Sequence, residues 1–437
     1  MTTFAFGGVY LSTLAVPAAL CVILGLLYRP WPARAADGTW SAGVWLSAAL
    51  ALCLLQLLPL PGAIVDVLSP HARPVWRGLA LDVPRTLPLS IDPGAGAWAC
   101  LVAACALITF LSARHIFARG GVRRTTRAVA TIGLVLAVIG LAQDATAHGL
   151  MYWRWSPLDE GAQPFGPFVN RNHFGTWAIL AVPLVCGYLA AHSAAHQGSS
   201  APASWRARLS AMVDARTIWL IAGTVLLLVA LAVTLSRSAM FGLAAGAAAA
   251  FWLRPGGAAS GKPGRWIAIG LLLAAAAVLV RVDPASLGAR VAASPVSAAN
   301  RLAIWRDTLP VVRDFWLTGT GAGTYETVML LYQRAMPEVR FNQAHNHYLQ
   351  LAAEGGLLLV IPMVLALRAY LREAATLRRD ASGIVFVRVG AACGLVAVAA
   401  QSVWETGLTT PANAVLAAIL AAIVVHAPSR PDRTGDA

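Results

Sequence analysis

The chain has 437 residues, of which 58% are hydrophobic and only 12% are charged, and its mean hydropathy is +0.67. Because a soluble globular domain carries about 25% charged residues, this composition excludes that class and predicts a polytopic membrane protein. The formal net charge is +14. Membrane proteins concentrate basic residues in their cytoplasmic loops, so this charge does not indicate nucleic-acid binding.

Eleven apolar stretches approach the length of about 20 residues that a membrane span requires. In chain order they are 8–28, 42–60, 96–113, 128–145, 174–192, 217–235, 237–253, 266–281, 348–370, 384–403 and 408–426. The sequence therefore predicts an all-α integral membrane protein with about 11 (10–12) transmembrane helices, in which spans six and seven form a tight hairpin.

Basic residues in the short loops predict the orientation. Four such loops carry three to five arginine or lysine residues each, and they are 114–127, 205–216, 254–265 and 368–380. They alternate along the chain, so all four lie on one side, which we take as the cytoplasm. The N-terminus is then outside and the C-terminus is inside. The six cysteines all fall in apolar runs, which favours packing over disulfides or metal binding.

This topology divides the chain into three regions. Residues 1–281 hold predicted spans one to eight, with long outer loops at 61–95 and 146–173. Residues 282–347 form the longest outer loop, between spans eight and nine. Residues 348–437 hold spans nine to eleven and a cytoplasmic tail.

The outer loop before span five ends in PFGPFVNRNHFG, which places Asn170, Arg171, Asn172 and His173 at the mouth of an apolar helix. One interpretation is a helix start, with Asn172 as the N-cap and Arg171 reaching the lipid headgroups. The other is an anion or sugar site, because an arginine grips phosphate in two places and a helix N-terminus adds positive potential.

The hairpin LAVTLSRSAMFG places Ser236, Arg237 and Ser238 between spans six and seven. If the turn reaches bulk water, Arg237 is an ordinary loop residue. The connection is only two or three residues long, which favours an arginine that faces a polar cavity, because an unpartnered charge at this depth is costly.

The segment 301–316 predicts an amphipathic helix lying on the membrane surface, kinked or divided at Pro310. Its apolar side is formed by Leu302, Trp305, Leu309, Val312 and Trp316. The glycines that follow, Gly319, Gly321 and Gly323, imitate a nucleotide-binding loop without its βαβ context. We expect tight turns with close backbone approach there instead.

The stretch FNQAHNHYLQLAAEGG brings His345, Asn346 and His347 to the mouth of span nine. A zinc site lacks further ligands at suitable spacing on this side. The histidines then serve as satisfied interfacial residues, or one of them positions or deprotonates a hydroxyl. Glu354, inside the same span, either pairs with an outer arginine or sits near the interface.

The predicted outer side carries several arginines and two asparagine–histidine clusters but no carboxylate pair. This set of residues suits a metal-independent reaction in which a pyrophosphate is the leaving group. Two other classes remain open. A transporter or flippase would show charges near the midplane of several spans and inverted repeats, but such charges are few, with Arg388 in span ten as an exception, and no repeat is recognisable. In a non-catalytic assembly protein, the outer arginines would be ordinary surface residues.

Four motifs in this order, GPFVNRNHFGTW, TLSRSAMFG, RLAIWRDTLPVVRDFWLTGTGAGTY and AHNHYLQLAAEGGLL, resemble the O-antigen ligase and polymerase superfamily over about residues 160–370. The resemblance implies a GT-C-like, multi-pass glycosyltransferase of the bacterial inner membrane that needs neither metal nor cofactor. Its active site would face the periplasm. It would transfer a glycan from undecaprenyl pyrophosphate to a lipid A core or protein in lipopolysaccharide or other polysaccharide biosynthesis. A polymerase would instead join lipid-linked repeat units.

Carried onto this chain, the resemblance makes His345 the catalytic residue. Pyrophosphate binding is assigned to Arg171, Arg237 and Arg301, with Arg306 as a further contributor. Supporting or glycan-contacting roles fall to Asn170, Asn172, His173, Asn346 and His347. The chain departs from the usual pattern in having eleven recognisable spans instead of about twelve, so the resemblance supports the first hundred residues only weakly, chiefly through the early loop PLPGAIVDVLSP.

Overall fold

The computed structural model describes residues 2–29, 40–79, 85–158, 162–197, 214–253, 294–380 and 382–426. Within these ranges the helices are α1 (Leu11–Tyr28), α2 (Ala42–Leu55), α3 (Gly62–Leu68), α4 (Ala72–Leu79), α5 (Pro93–Ala118), α6 (Val122–Thr146), α7 (Arg171–Gln197), α8 (Ala215–Val233), α9 (Arg237–Trp252), α10 (Ser294–Asp314), α11 (Tyr325–Tyr332), α12 (His347–Ala374), α13 (Val385–Gln401) and α14 (Pro411–Val424). Two short strands, β1 (Leu60–Pro61) and β2 (Thr86–Leu87), pair antiparallel.

Ten of the eleven predicted spans coincide with helices, and the eighth, 266–281, lies outside the described residues. Among the described helices, α5, α6, α7 and α12 are long and apolar enough to cross a membrane. The helical membrane-protein class predicted from composition is confirmed, and the total number of spans stays a prediction.

Helix α7 lies at the centre of the bundle, since 89% of its most apolar stretch is buried, against 22% for α5. It crosses α13 at a pair of glycines. A Cβ added at Gly187 would lie 2.3 Å from the carbonyl oxygen of Phe386, and one added at Gly390 would lie 2.3 Å from that of Pro183. Such small residues let membrane helices approach backbone to backbone.

Replacing Gly390 by alanine is expected to destabilise the protein by about 1–3 kcal/mol, because the new methyl group forces two packed helices apart. The measurement is thermal unfolding in detergent. Gly223→Ala in α8 is the matched control, since its Cβ would come no nearer than 3.6 Å to a neighbouring atom. Equal melting temperatures for the two variants would contradict this account of the crossing.

A second hydrophobic cluster joins the outer segments into a cap at one end of the bundle. The cap consists of α3, α4, β1, β2, α10 and α11. Its interior includes Val75, Leu87, Phe315 and Val328, all less than 5% exposed. Residues far apart in sequence therefore form one layer above the first turns of α12.

The glycine-rich segment after α10 makes the tight turns expected from its sequence. Gly319, Gly321 and Gly323 all have positive φ, at 66°, 107° and 75°. A Cβ on Gly319 would lie 2.2 Å from the carbonyl oxygen of Glu354, so no side chain fits there. The predicted close backbone approach is confirmed.

Glu354 holds this glycine segment in place. Its carboxylate accepts hydrogen bonds from the backbone N–H of Gly323 at 2.8 Å and of Tyr325 at 3.3 Å, and from Nε2 of Gln350 at 3.0 Å. The interpretation that Glu354 pairs with an arginine is therefore wrong. In the described part of the chain, backbone N–H groups bind its carboxylate where an arginine was expected.

Helix α10 continues from Ser294 to Asp314, so the division predicted at Pro310 is wrong. The apolar side that the sequence predicts to face the membrane lies outward, and a second side is buried. Ile304, Thr308, Val311 and Phe315 are buried in the cap, whereas Leu302, Leu309 and Trp316 lie outward. The helix is anchored by a face that the hydrophobic pattern did not single out.

Two other features follow from packing. The six cysteines are buried, as expected of small apolar residues. Arg388, the charge within predicted span ten, is 1% exposed and donates to Asp380 at 2.6 Å and to the carbonyl oxygen of Val424 at 2.6 Å. Its contacts tie together the ends of helices, which is a structural role.

Candidate functional site

The first turns of α7 and α9 lie side by side. A Cβ on Gly175 would be 2.9 Å from Cβ of Ala239 and 3.4 Å from Cβ of Ser236. Three residues, Thr234 to Ser236, connect α8 to α9, as the sequence predicts for this hairpin. The motifs that carry Arg171 and Arg237, 66 positions apart in the chain, therefore begin neighbouring helices.

Asn170 caps the start of α7. Its side-chain oxygen accepts a hydrogen bond from the backbone N–H of Asn172 at 2.8 Å, so the prediction of Asn172 as the N-cap is wrong. Arg171 is the first helical residue. Its N–H donates to the carbonyl oxygen of Gln163 at 2.8 Å, and its charge lies within electrostatic range of Asp144.

His173 is buried beneath this helix start. Its Nδ1 lies 2.9 Å from the hydroxyl of Thr410, and its carbonyl oxygen accepts from Asn413 at 3.0 Å. Within the described ranges its Nε2 has no hydrogen-bond partner. His173 thus links α7 to α14, which fits the supporting role given to it.

Three contacts from different elements hold the segment that carries His345. Trp305 on α10 donates to the carbonyl oxygen of Ala344 at 2.9 Å. The N–H of His347 donates to the carbonyl oxygen of Ser402 at 2.8 Å, and the hydroxyl of Thr406 donates to the side-chain oxygen of Gln343.

These anchors matter because His345 has φ of 47°, in the left-handed region. A residue other than glycine in a sparsely populated region costs about 1–3 kcal/mol, and it persists only where its surroundings over-determine it. Such strain clusters at functional sites, so the backbone supports a functional role for His345.

The neighbours of His345 in the motif are structural in part. Asn346 is the N-cap of α12, and its side chain accepts from the N–H of Leu349 at 3.0 Å. His347 is the first residue of that helix, and its Nδ1 is buried. Of the two histidines in the motif AHNH, His345 therefore precedes the helix and its cap, and His347 lies within the helix.

Sequence reasoning missed Glu405, which faces His345. The Oε1 atom of Glu405 lies 3.5 Å from Nδ1 of His345 and accepts from the N–H of Thr406 at 3.2 Å. The side chain of Glu405 is 1% exposed, whereas that of His345 is 31% exposed. One signal was present: Glu405 is the only acid in the stretch SVWETGLTT between the last two predicted spans.

The surroundings of Glu405 keep it ionised. Burial opposes the charge, but the nearby imidazoles of His345 and His173 and the N–H of Thr406 together hold the pKa of this carboxyl below its usual value. A buried carboxylate beside an imidazole can orient the ring and stabilise its protonated form.

This shift makes stability depend on pH. An unfolded glutamate has a pKa of about 4.3, so the folded state binds fewer protons than the unfolded state near that pH. The stability that Glu405 contributes is complete above this value and is lost as the pH falls through the lower, folded-state pKa. The melting temperature should fall more steeply below about pH 4.3 in the wild type than in Glu405→Gln. Parallel pH profiles would contradict this account.

Arg301 joins the group from α10. Burial lowers the pKa of its guanidinium, the negative charge of Glu405 raises it, and the positive charge of Arg237 lowers it. The ordinary pKa of arginine is about 12.5 or more, so Arg301 stays charged. Arg301 thus lies within electrostatic range of Glu405 and Arg237, and Glu405 in turn lies within range of His345.

Arg306 is not part of this group. It is exposed, and five residues along a helix of 3.6 residues per turn place it about 140° around α10 from Arg301. Among the described residues no three His, Cys, Asp or Glu side chains are grouped as metal ligands would be. The positive charge of the group comes from its arginines.

One comparison with known proteins bears on this arrangement. Residues 222–364, about a third of the chain, match the family model described as O-antigen ligase. Arg237, Arg301 and His345 lie inside the matched stretch, whereas Arg171 and Glu405 lie outside it. No curated protein matches the chain. The resemblance drawn from the motifs is confirmed over this stretch.

Proposed function

Because residues 222–364 belong to the O-antigen ligase family, whose members are membrane enzymes of glycan assembly, we propose that this protein transfers a glycan from undecaprenyl pyrophosphate to an acceptor hydroxyl. The observation that carries the proposal is the grouping of Arg237 and Arg301 with the His345–Glu405 pair. We further propose that the reaction occurs on the periplasmic side of the bacterial inner membrane.

The arginines suit the donor. Two guanidinium groups close to each other repel, and a pyrophosphate between them would relieve that repulsion through bidentate hydrogen bonds. Negative charge grows on the pyrophosphate as the glycosidic C–O bond breaks, so Arg237 and Arg301 stabilise the transition state more than the bound donor. Arg171, at the start of the helix beside Arg237, extends the positive surface.

His345 suits the acceptor. Its partly exposed imidazole removes the proton of the incoming hydroxyl while that oxygen attacks the anomeric carbon. A new glycosidic C–O bond forms, the C–O bond to the pyrophosphate breaks, and undecaprenyl pyrophosphate leaves with the bonding electron pair. The ionised Glu405 stabilises the imidazolium that results.

Glu405 acts here as a positioning residue. Glu405→Gln is expected to lower kcat at least about tenfold, by analogy with other carboxylates that orient a catalytic imidazole. The KM for the donor should change little, since the direct contact of Glu405 is with His345, the residue assigned to the acceptor. Steady-state kinetics in proteoliposomes provide the test. A raised KM with an unchanged kcat would instead place Glu405 in donor binding.

The proposed function is tested by reconstitution. Purified protein in proteoliposomes receives a lipid-linked oligosaccharide, with or without an acceptor, and free undecaprenyl pyrophosphate is measured. Release is expected only with an acceptor, and it should persist in the presence of a chelator because arginines supply the positive charge. Equal release with and without the acceptor, or no release at all, contradicts the proposed transferase activity.

The same assay separates a ligase from a polymerase, which share the donor chemistry. Transfer onto a lipid A core or a protein identifies a ligase, and we propose this outcome. Transfer onto a second lipid-linked repeat unit, with growth in chain length, identifies a polymerase. A transporter is less well supported, since Arg388, the exceptional charge within a predicted span, is neutralised by Asp380 at 2.6 Å.

A further inference from the structure

Helix α10 presents an exposed stripe that the proposed reaction does not use. The stripe, called here the outer stripe, consists of Leu302, Arg306, Leu309 and Arg313 on α10 and of Trp316 in the turn that follows the helix. Steps of four and three residues keep the four positions on α10 within an arc of about 60° on one helix face. The three apolar members are 49%, 57% and 60% exposed, in chain order.

The outer stripe has two chemically different flanks. Helical spacing places Leu302 and Leu309 on one flank and the two arginines on the other. The side chain of Arg313 is 78% exposed, although its Nε donates to Asp314 at 2.9 Å. An apolar flank beside a basic flank is the pattern of a helix that lies in a membrane interface.

The C-terminal end of α10 is fixed at a definite level of a membrane-crossing helix. The N–H of Leu357 donates to the carbonyl oxygen of Trp316 at 2.8 Å, and the N–H of Leu358 donates to that of Leu317 at 3.0 Å. At this level the exposed apolar face of α12 begins. Its members are Leu357, Leu358, Ile361, Val364, Leu367 and Leu371.

The length of α12 supports the same level for the membrane boundary. The helix is interrupted at Gly356, where φ is 54° and ψ is −164°. The part after this interruption, from Leu357 to Ala374, is about 27 Å long at 1.5 Å per residue, close to a hydrocarbon core of about 30 Å. The turns before Gly356 are enclosed by the cap and bear the buried Gln350 and Glu354 network, so they extend beyond the core.

We propose that the outer stripe docks on the membrane surface at the His345 end of the bundle, with its arginines on the phosphates of anionic phospholipids. Leu302, Leu309 and Trp316 then lie at the boundary of the acyl chains. Positive charge next to this apolar flank complements an anionic lipid surface. Arg306 thereby acquires a lipid-binding role in place of the pyrophosphate role drawn from the sequence.

Docking of α10 would set the height of the candidate site above the bilayer. The same helix carries Arg301 near one end, and its Trp305 donates to Ala344, the residue before His345. Docking of α10 is independent of the proposed reaction, because only the exposed face of this helix and its connection to α12 are involved.

The first arm of the test measures depth. A nitroxide label is attached at Leu309→Cys in the full chain in phospholipid nanodiscs, with Val364→Cys as the lipid-facing reference; the six native cysteines are buried. We expect the label at 309 to be more accessible to oxygen than to a water-soluble nickel chelate. If the label at 309 is more accessible to the chelate than to oxygen, the outer stripe does not contact the membrane and the proposal is overturned.

The second arm measures lipid charge. The melting temperature of the wild type should be higher in nanodiscs that contain phosphatidylglycerol than in nanodiscs of phosphatidylcholine alone. The double variant Arg306→Gln/Arg313→Gln should lose most of this difference. Arg340→Gln, at an arginine 62% exposed in its pair with Glu326 and outside the stripe, should keep it. Equal losses in the two variants, or no difference in the wild type, overturn the assignment of the arginines.

Discussion

Replacing His345 by asparagine is expected to reduce glycan transfer by a factor of about 10²–10⁴, the usual contribution of a positioned general base. Asparagine tolerates the left-handed backbone better than most residues, so the φ of 47° at this position should survive the change. The protein should stay folded and bind the donor, because the arginines that we assign to pyrophosphate are untouched.

His148 offers a matched control for this substitution. It is also a histidine with φ of 47°, and it is exposed in the loop after α6. His148→Asn therefore carries the same backbone change outside the candidate site and should retain full transfer. Initial rates in proteoliposomes decide the matter, and wild-type activity in His345→Asn would remove this residue from the chemistry.

Replacing Arg301 by glutamine is expected to lower kcat by about 10²–10³, as the loss of one preorganised donor does at other sites where anionic charge develops. The effect should appear in kcat more than in KM, because the leaving pyrophosphate gains charge in the transition state. The kcat of Arg301→Lys should lie between those of the wild type and Arg301→Gln, since lysine keeps the charge but loses the bidentate geometry.

Arg154→Gln is the control for this series, because Arg154 is an exposed arginine in the outer loop before α7. It should transfer glycan at the wild-type rate. If Arg301→Gln raises KM without lowering kcat, Arg301 contributes uniform binding of the donor and not stabilisation of the leaving group.

The helices were predictable because the apolar runs are nearly uninterrupted. A backbone in a membrane must satisfy its own hydrogen bonds, and among segments of this length the helix does so alone. Predicted spans and helices therefore agree wherever the chain is described. The motifs at the helix mouths were also recognisable, since Arg171, Arg237 and His345 are polar residues directly beside long apolar segments.

The wrong predictions share a physical cause. They were made from residues that are neighbours in the sequence, which do not reveal the contacts formed in the tertiary structure. Asn172 and Asn170 are both suitable caps, and only the turn before α7 selects Asn170. Pro310 predicts a kink or a division, and the division does not occur, because Val311 and Phe315 pack in the cap as a continuation of the same helix and turn. Glu354 suggested an arginine partner, whereas the glycine turns bring backbone amides to it.

The sequence by itself determined the class of the protein, the helices and the order of the four motifs, because hydrophobic runs and polar helix mouths are local properties of the chain. Only the tertiary structure decided which charged side chains lie close to each other. The pairing of Glu405 with His345 and the grouping of Arg301 with Arg237 join segments separated by about 60 residues each. Electrostatic interactions depend on distance in space, and helix crossings such as that of Gly187 with Gly390 set that distance.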